Sequence, residues 1–422
     1  MRNLLLAVLK FLSGRYLAKF KPKLIGITGS VGKTTTKEAI AFVLASKFKV
    51  RSSPENYNNE VGVPLSIIGE HSAGKNIFGW LAILIKGFLK LFNPNFPKVL
   101  VLEMGTDRPG DISYLVRIAG KLDVAVLTDI GISHLEFFGS PEALAKEKLS
   151  ILKGVKPDGT AVLNFDSPKI VSGSASFKGK VLSFGFEPKS DVWASDFQII
   201  KMNAIWGVTF KVHHQGTVVP FFIPDVLGKP VVYAALAAIC AGLKFDFNLV
   251  EISEVLKKFI PPAGRMRLIK GIKQTTIIDD TYNSAPSSTL AALEALSMVA
   301  PGRKIAVLGA MAELGPASES GHREVAGKIL EYGISSVFLV GSETRFIEDE
   351  LRRRKFTGAV ACYESSDHAR LPVQNELLEG DFILIKGSQA MRMERVVKEI
   401  MANPMEADKL LVRQSEKWLH KP

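Results

Sequence analysis

The sequence predicts an α/β protein in two parts, each built on a largely parallel sheet, with a β-rich portion closing the first part. Three observations predict it. Short apolar runs alternate with helical patterns from residue 24 to about 165, as in a parallel sheet covered by helices. Residues 178–223 are instead rich in β-branched and aromatic residues with turn residues between them, which predicts antiparallel strands. After Pro261-Pro262-Ala263-Gly264, a linker by composition, the β/α alternation resumes.

The N-terminus, residues 1–23, carries six basic and no acidic residues. Leu5, Val8, Leu9, Leu12, Tyr16 and Phe20 recur near helical spacing, so a basic amphipathic helix is expected. Lys10, Gly14, Arg15 and Lys19 break the apolar run too often for a membrane span, and no small-residue cleavage site follows. Residues 77–92, IFGWLAILIKGFLKLF, form a second such stretch. Two expectations stand for both: packing on the protein body, or reversible contact with an anionic membrane surface.

Between these stretches Leu24-Ile25 begins a strand and Lys37 to Ser46 a helix. Further strands are expected at Val99–Leu102, Val124–Leu127 and Ala161–Leu163, and helices at about 229–243 and 248–259. Beyond the linker, Thr276–Ile278, Lys304–Leu308, Ser336–Val340 and Phe382–Ile385 each precede a helical stretch, which predicts a Rossmann-like α/β domain. The expected division is an N-terminal helix over 1–23, a central nucleotide-binding domain over 24–262, a C-terminal domain over 263–402 and a polar tail over 403–422.

Composition narrows the function. A chain of 422 residues with 47% hydrophobic and 23% charged residues supports large cores and excludes a disordered protein. The two cysteines, Cys240 and Cys362, cannot form a disulfide framework and are expected as core thiols in a reducing cytosol. A net charge of +12 suits anionic partners, but the basic residues are scattered and no nucleic-acid-binding motif occurs, so nucleic acid is not an expected partner.

The chemistry centres on residues 26–36, Gly-Ile-Thr-Gly-Ser-Val-Gly-Lys-Thr-Thr-Thr, between an apolar run and a helical pattern. Strand, glycine turn and helix are what a phosphate-binding loop requires. Glycines let backbone N–H groups close on phosphate oxygens, and the helix N-terminus adds a favourable dipole. Gly29, Ser30, Val31, Gly32, Lys33, Thr34 and Thr35 are the expected nucleotide contacts, with Lys33 on the terminal phosphates and the Thr34 hydroxyl on Mg²⁺. Spacing departs from the usual pattern, which wants glycine at position 27; this chain has Ile27, with Gly26 before it.

Glu103 ends an apolar strand, where a carboxylate can hold Mg²⁺ opposite the loop. His134 follows the strand ending near Thr128, as a ligand or a structural histidine. Lys148 reads locally as part of a solvated helix face. Asp279 to Ser284 follows another strand, where it could meet a ribose or form a plain turn, and Lys386-Gly387-Ser388 offers a cation at a further strand end.

Eight stretches in order resemble the Mur ligase family of ATP-dependent amide-forming enzymes, and most of all its D-alanyl-D-alanine-adding branch. They are GITGSVGKTTTKEAI, ENYNNEVGVPLSII, VLEMGTDRPGDI, ISHLEFFGSPEALAKEK, AGRMR, DDTYNSAPSS, GAMAELGPASESGH and IKGSQAMRME. The family spells its loop GxTGSxGKT, which accounts for Gly26. The resemblance implies that Glu103 and His134 bind Mg²⁺ and that Lys148, with Lys146 as the alternative, reacts with CO₂ to give a carbamate ligand. It further implies that Asn58 and Asn59 lie at the catalytic centre, that Arg265 contacts ATP, and that Asp280, Tyr282 and Asn283 line the nucleotide and substrate cleft. The implied catalytic set is Lys33, Lys148, His134 and Asn58, the implied cofactors ATP and Mg²⁺, and the implied substrates a muropeptide precursor and D-alanyl-D-alanine. A cytoplasmic monomer of peptidoglycan synthesis is expected, with membrane contact at most peripheral. The alternatives are another acid–amine ligase, γ-glutamyl or cyanophycin-like, and a phosphate-loop ATPase that makes no amide.

Two departures stand out. Family members place a domain that holds the UDP part of the acceptor before the loop, whereas here the loop starts at Gly26. The family's helix before the linker carries an asparagine that contacts adenine; this chain has Val231 and Ala234 at its two asparagine positions.

Overall fold

The computed structural model describes residues 2–54, 57–131, 138–299 and 302–419. The first sheet contains β1 (Lys23–Thr28), β2 (Val50–Ser52), β3 (Val99–Glu103), β4 (Leu122–Leu127), β5 (Val155–Asn164), β6 (Lys180–Gly185), β7 (Val192–Met202), β8 (Ile205–His214) and β9 (Thr217–Pro224). Its order is β2-β3-β1-β4-β5-β6-β7-β8-β9. Strands β1 to β5 are parallel, as the apolar runs of β1, β3, β4 and the end of β5 predict; β2, Val-Arg-Ser, carries no such run. Within each strand, alternate side chains feed opposite cores. Val99 and Val101 face the cluster built on α2 (Lys33–Ala45) and the helix Lys229–Lys244. Leu100 and Leu102 face the cluster that includes α1 (Arg2–Phe20) and α5 (Asp111–Ala119).

One strand in the β-rich portion departs from expectation. β6 pairs in parallel with both β5 and β7, and only the pairs β7–β8 and β8–β9 are antiparallel. The helix Pro168–Ser174 supplies the crossover that a parallel β6 needs, and the antiparallel ribbon extends the same sheet.

The second sheet holds β10 (Arg267–Lys270), β11 (Thr276–Asp280), β12 (Lys304–Gly309), β13 (Ser336–Val340), β14 (Ala359–Tyr363) and β15 (Phe382–Lys386). Its order is β10-β11-β15-β12-β13-β14, parallel except for β10. Cys240 is a core thiol. Cys362 is not: it is exposed, because β14 is an edge strand with one row of side chains turned to solvent.

The expected N-terminal stripe is the docking face of α1. Leu9, Leu12 and Tyr16 are buried against α3 (Gly62–Ile68), α5 and α4 (Ile77–Lys90). The Tyr16 hydroxyl donates to the Gly87 carbonyl at 2.5 Å, and Phe20 stacks on Phe96 at 4.5 Å. Gly87 permits this approach, since a Cβ there would meet Leu12 at 2.9 Å. α4 departs from the packing expectation. Trp80, Ile83 and Leu84 turn inward, while Phe78, Leu81, Ile85, Phe88 and Phe92 lie on the outer face. Among the described residues no helix is long and apolar enough to cross a membrane.

Residues 403–419 do not trail into solvent. Ala407 and Leu411 are buried in the second domain's core, and Arg413 reaches the end of β11.

If α1 is integral to the fold, Leu9→Ala will cost about 2–5 kcal/mol of unfolding free energy, whereas Phe11→Ala, at a position 67% exposed, will cost less than about 0.5 kcal/mol. Thermal denaturation of the two variants side by side checks this; equal shifts would contradict it.

Candidate active site

The phosphate-binding loop leaves β1 at Thr28 and enters α2 at Lys33. Two glycines shape it. Gly29 passes so close to β4 that a Cβ would lie 2.0 Å from the Thr128 hydroxyl, and Gly32 caps α2 in the left-handed region at φ +83°. The Thr128 hydroxyl donates to the Val31 carbonyl at 2.6 Å, and the Ser30 N–H donates to the Asp129 carbonyl at 2.8 Å. The loop is thereby tied to the carboxyl end of the neighbouring strand.

Two lysines converge on one atom of this loop. Lys33 Nζ donates to the Gly29 carbonyl oxygen at 2.7 Å, and Lys148 Nζ donates to the same oxygen at 3.1 Å. The solvated helix face expected locally for Lys148 is corrected here: its side chain is 1% exposed. The helix Pro141–Leu149 turns Lys148 inward because Glu147 beside it caps α5, accepting from Gly110 N at 2.8 Å and Ile112 N at 2.7 Å. Burial, and then the charge of Lys33, lowers the Lys148 ammonium to about 7. Burial also lowers Lys33, against a partial restoring pull from Glu103. Lys146 is exposed on the outer side of the same helix, so the geometry favours Lys148 of the two.

Glu103 sits at the end of β3, 2% exposed. Its carboxylate accepts from Thr34 Oγ1 at 3.0 Å and from Asn58 Nδ2 at 3.1 Å, with Lys37 Nζ 3.9 Å away. Asn58 is held in turn because Gly105, which lacks a Cβ, leaves room for its amide and donates its N–H to the Asn58 carbonyl at 2.7 Å. The Asn59 side chain instead caps the start of α3. Thr34 and Glu103 present hard oxygen donors side by side, a set that suits Mg²⁺, which takes few protein oxygens and keeps room for phosphate and water. His134, the other expected ligand, lies outside the described residues. Among the described residues no three His, Cys, Asp or Glu side chains cluster.

The facing wall comes from the second domain. A cleft of about 780 Å³ is lined by Ser30 to Thr35, Asn58, Glu103, Arg265, Asp280, Tyr282 and Asn283. The Arg265 guanidinium stacks 3.9 Å from the centre of the Tyr282 ring and reaches Thr34 Oγ1 at 3.5 Å. Its buried Nε has no hydrogen-bond partner, a cost that an anionic ligand in the cleft would relieve. The two aspartates that end β11 mainly hold the linker. Asp279 accepts from Gly264 N at 3.0 Å, while Asp280 accepts from Met266 N at 3.2 Å and pairs with Lys386 at 2.6 Å. Burial pushes the Asp279 carboxyl up to about 6. Asp280 lines the cleft with both carboxylate oxygens engaged, and Asn283 is exposed there.

Sequence reasoning missed three contributors. Glu147 orients Lys148 through α5. Arg413 donates to the Thr281 and Tyr282 carbonyls and packs 5.6 Å from the centre of the Tyr282 ring. Trp418 lines the cleft from the chain's last turn. A tryptophan in a polar tail was the one available signal for the last.

Comparison with known proteins agrees with this geometry. The Mur ligase middle domain matches residues 27–78 and 82–242, and the Mur ligase glutamate ligase domain matches residues 264–389. The chain is 32% identical over 402 residues to UDP-N-acetylmuramoyl-tripeptide–D-alanyl-D-alanine ligase of Bacillus subtilis, covering 95% of this chain and 80% of that one. The enzyme of the same name from Synechocystis is 29% identical, with 92% and 76% covered. Among solved structures, MurF ligase from Thermotoga maritima in complex with ADP superposes with a TM-score of 0.78 at 28% identity, over 93% of this chain and 83% of that one. With both domain patterns matched in order and a relative above 30% identity along nearly its whole length, the chain belongs to the Mur ligase family.

Proposed function

We propose that this protein is an ADP-forming ligase that joins the amine of D-alanyl-D-alanine to the terminal carboxylate of a muramoyl-tripeptide, using ATP, in peptidoglycan precursor synthesis. The observation that carries the reading is the pair of lysines on the Gly29 carbonyl, with Lys33 lining one cleft beside Glu103 and Thr34 and the buried Lys148 lining the small cavity next to it. The names of the similar enzymes support the choice of substrates.

A carboxylate is a poor acyl donor at neutral pH. Its oxygen attacks the γ-phosphorus, ADP leaves, and the resulting acyl phosphate is attacked by the amine; the tetrahedral intermediate then expels phosphate to leave the amide. In this reading the loop amides and Lys33 hold the phosphates, and Arg265 meets them from the second domain. Lys148, whose ammonium at about 7 leaves a large neutral fraction near physiological pH, adds through Nζ to the carbon of CO₂ and releases a proton, becoming an anionic carbamate. Thr34, Glu103, that carbamate and His134 would hold Mg²⁺. When bound, the ion would offset repulsion between the phosphates and the incoming carboxylate. Asn58 keeps Glu103 oriented. Arg265 and Arg413 both pack on Tyr282, so the linker and cleft wall move together when the domains close and exclude water. The enzyme acts in the cytoplasm as a monomer, and its acid-free N-terminal stretches support peripheral contact with an anionic membrane.

Incubation with Mg-ATP, D-alanyl-D-alanine and a muramoyl-tripeptide, with and without UDP, will yield the pentapeptide by mass; ATP hydrolysis without amide for every muropeptide would overturn the reading. Lys33→Ala will lower turnover by on the order of 10²-fold or more, and Lys148→Ala will do likewise but recover in part with added short carboxylates. Because the Lys148 ammonium sits at about 7 rather than the lysine value of 10.5, it loses its proton as pH rises through that point. Turnover at fixed dissolved CO₂ will therefore climb between about pH 6 and 8, and a flat profile for the wild type would contradict the carbamate. With Val231 buried beside the cleft where relatives carry a polar amide, GTP will support turnover better than in ordinary relatives; a large ATP preference would contradict this.

A further inference from the structure

Among the described residues, the outer face of α4 is an exposed apolar surface. Phe78 is 84% exposed, Leu81 56%, Ile85 53%, Phe88 56% and Phe92 69%. These positions recur every three or four residues, so they form one continuous stripe along the helix. The opposite stripe is anchored by Trp80, Ile83 and Leu84 in the core and by the Tyr16 bond to Gly87. The helix is therefore held with a fixed roll and cannot turn the outer stripe inward. An exposed patch of this kind on a single domain marks an interaction surface.

The surrounding charge identifies what covers it. No acidic residue occurs in residues 1–37 or 71–102, the segments that contain α1 and α4. Lys75 is exposed just before α4, Lys86 projects from within it, and Lys19 of α1 reaches over the Phe92 ring at 5.4 Å. The nearest carboxylate, Glu70, is 7% exposed and already paired with Lys86 and Lys90. A second copy of this chain seated on the stripe by two-fold symmetry would bring two such cationic rims together. An anionic bilayer meets both features at once, since acyl chains take the aromatic and aliphatic stripe and headgroups meet the lysines.

We infer that α4, braced by α1, lies in the interface plane of an anionic lipid bilayer and docks this protein on the membrane. α1 also borders a small cavity beside the site. Arg2 pairs with Glu60 at 2.6 Å and Lys10 lies over the Tyr114 ring, and Glu60 and Tyr114 line a small cavity with Lys33 and Lys148. The inference deepens the peripheral-membrane part of the proposed function and stands apart from the ligation chemistry.

Flotation of the full chain with phosphatidylcholine vesicles, with and without phosphatidylglycerol, tests it. The protein is expected to float with the anionic vesicles at low salt and to be released as salt screens the lysines. The triple variant Leu81→Ser, Ile85→Ser, Phe88→Ser is expected to bind at least about tenfold more weakly, with the melting temperature and ATP turnover in solution unchanged. Lys75→Glu is expected to weaken only the anionic-vesicle binding. Failure of the wild type to float, or flotation of the triple variant at wild-type strength, would overturn the inference. So would sedimentation showing a wild-type dimer that the triple variant converts to monomer, because a second copy would then own the stripe. Vesicle binding is read without ligation, so loss of one reading leaves the other measurable.

Discussion

Two ammonium groups donating to one buried carbonyl oxygen is the constraint around which this site is organised. Like charges this close inside a protein repel strongly, and solvent does little to screen them. Burial lowers both ammonium groups, and Lys148 is lowered to about 7. Lys33 stays near the cleft, where Glu103 partly compensates it. The arrangement needs Gly29 without a Cβ, the loop tied to Thr128 and Asp129, and a helix that turns Lys148 inward, which Glu147 secures by capping α5. Substituting any of these supports would disturb the lysine pair before it touched a substrate.

The rest of the architecture serves to face this pair with a second wall. The linker at Gly264 adopts a left-handed conformation, φ +67°, where a Cβ would crowd Tyr282 N at 2.9 Å. Asp279 and Asp280 bind its backbone, and Lys386 from the neighbouring strand β15 pairs with Asp280. Arg265 is thus delivered from a clamped turn rather than a loose hinge. Residues of the C-terminal segment complete the wall, with Arg413 packed against Tyr282 and Trp418 lining the cleft.

How much of this was legible in the sequence depended on whether the cause was local. The loop could be read because strand, glycine turn and helix are contiguous, and the parallel strands because burial on both faces demands unbroken apolar runs. β6 was misjudged because its partner is chosen by a distant crossover, not by its own residues. Lys148 was illegible locally: a lysine among Ala, Glu and Leu looks solvated until the cap made by Glu147 rotates it into the core, and only the family resemblance singled it out. Arg413 and Trp418 were missed because an irregular tail has no period to betray its buried positions. Cys362 was assigned to the core because an edge strand and a central strand share a composition. The apolar stretch 77–92 was recognised, but which of its faces turns outward is set by α1.

The account's central claim is that the cleft activates a carboxylate by transferring the terminal phosphoryl group of ATP to it. Oxygen tracing tests this most directly. A muramoyl-tripeptide labelled with ¹⁸O in its terminal carboxylate is ligated to D-alanyl-D-alanine, and the released phosphate is weighed by mass spectrometry. The carboxylate oxygen that attacks phosphorus leaves with it when the amine displaces phosphate, so one labelled oxygen per phosphate is predicted. Unlabelled phosphate formed alongside the amide would contradict the account, because ATP would then be hydrolysed by water rather than by reaction with the acceptor.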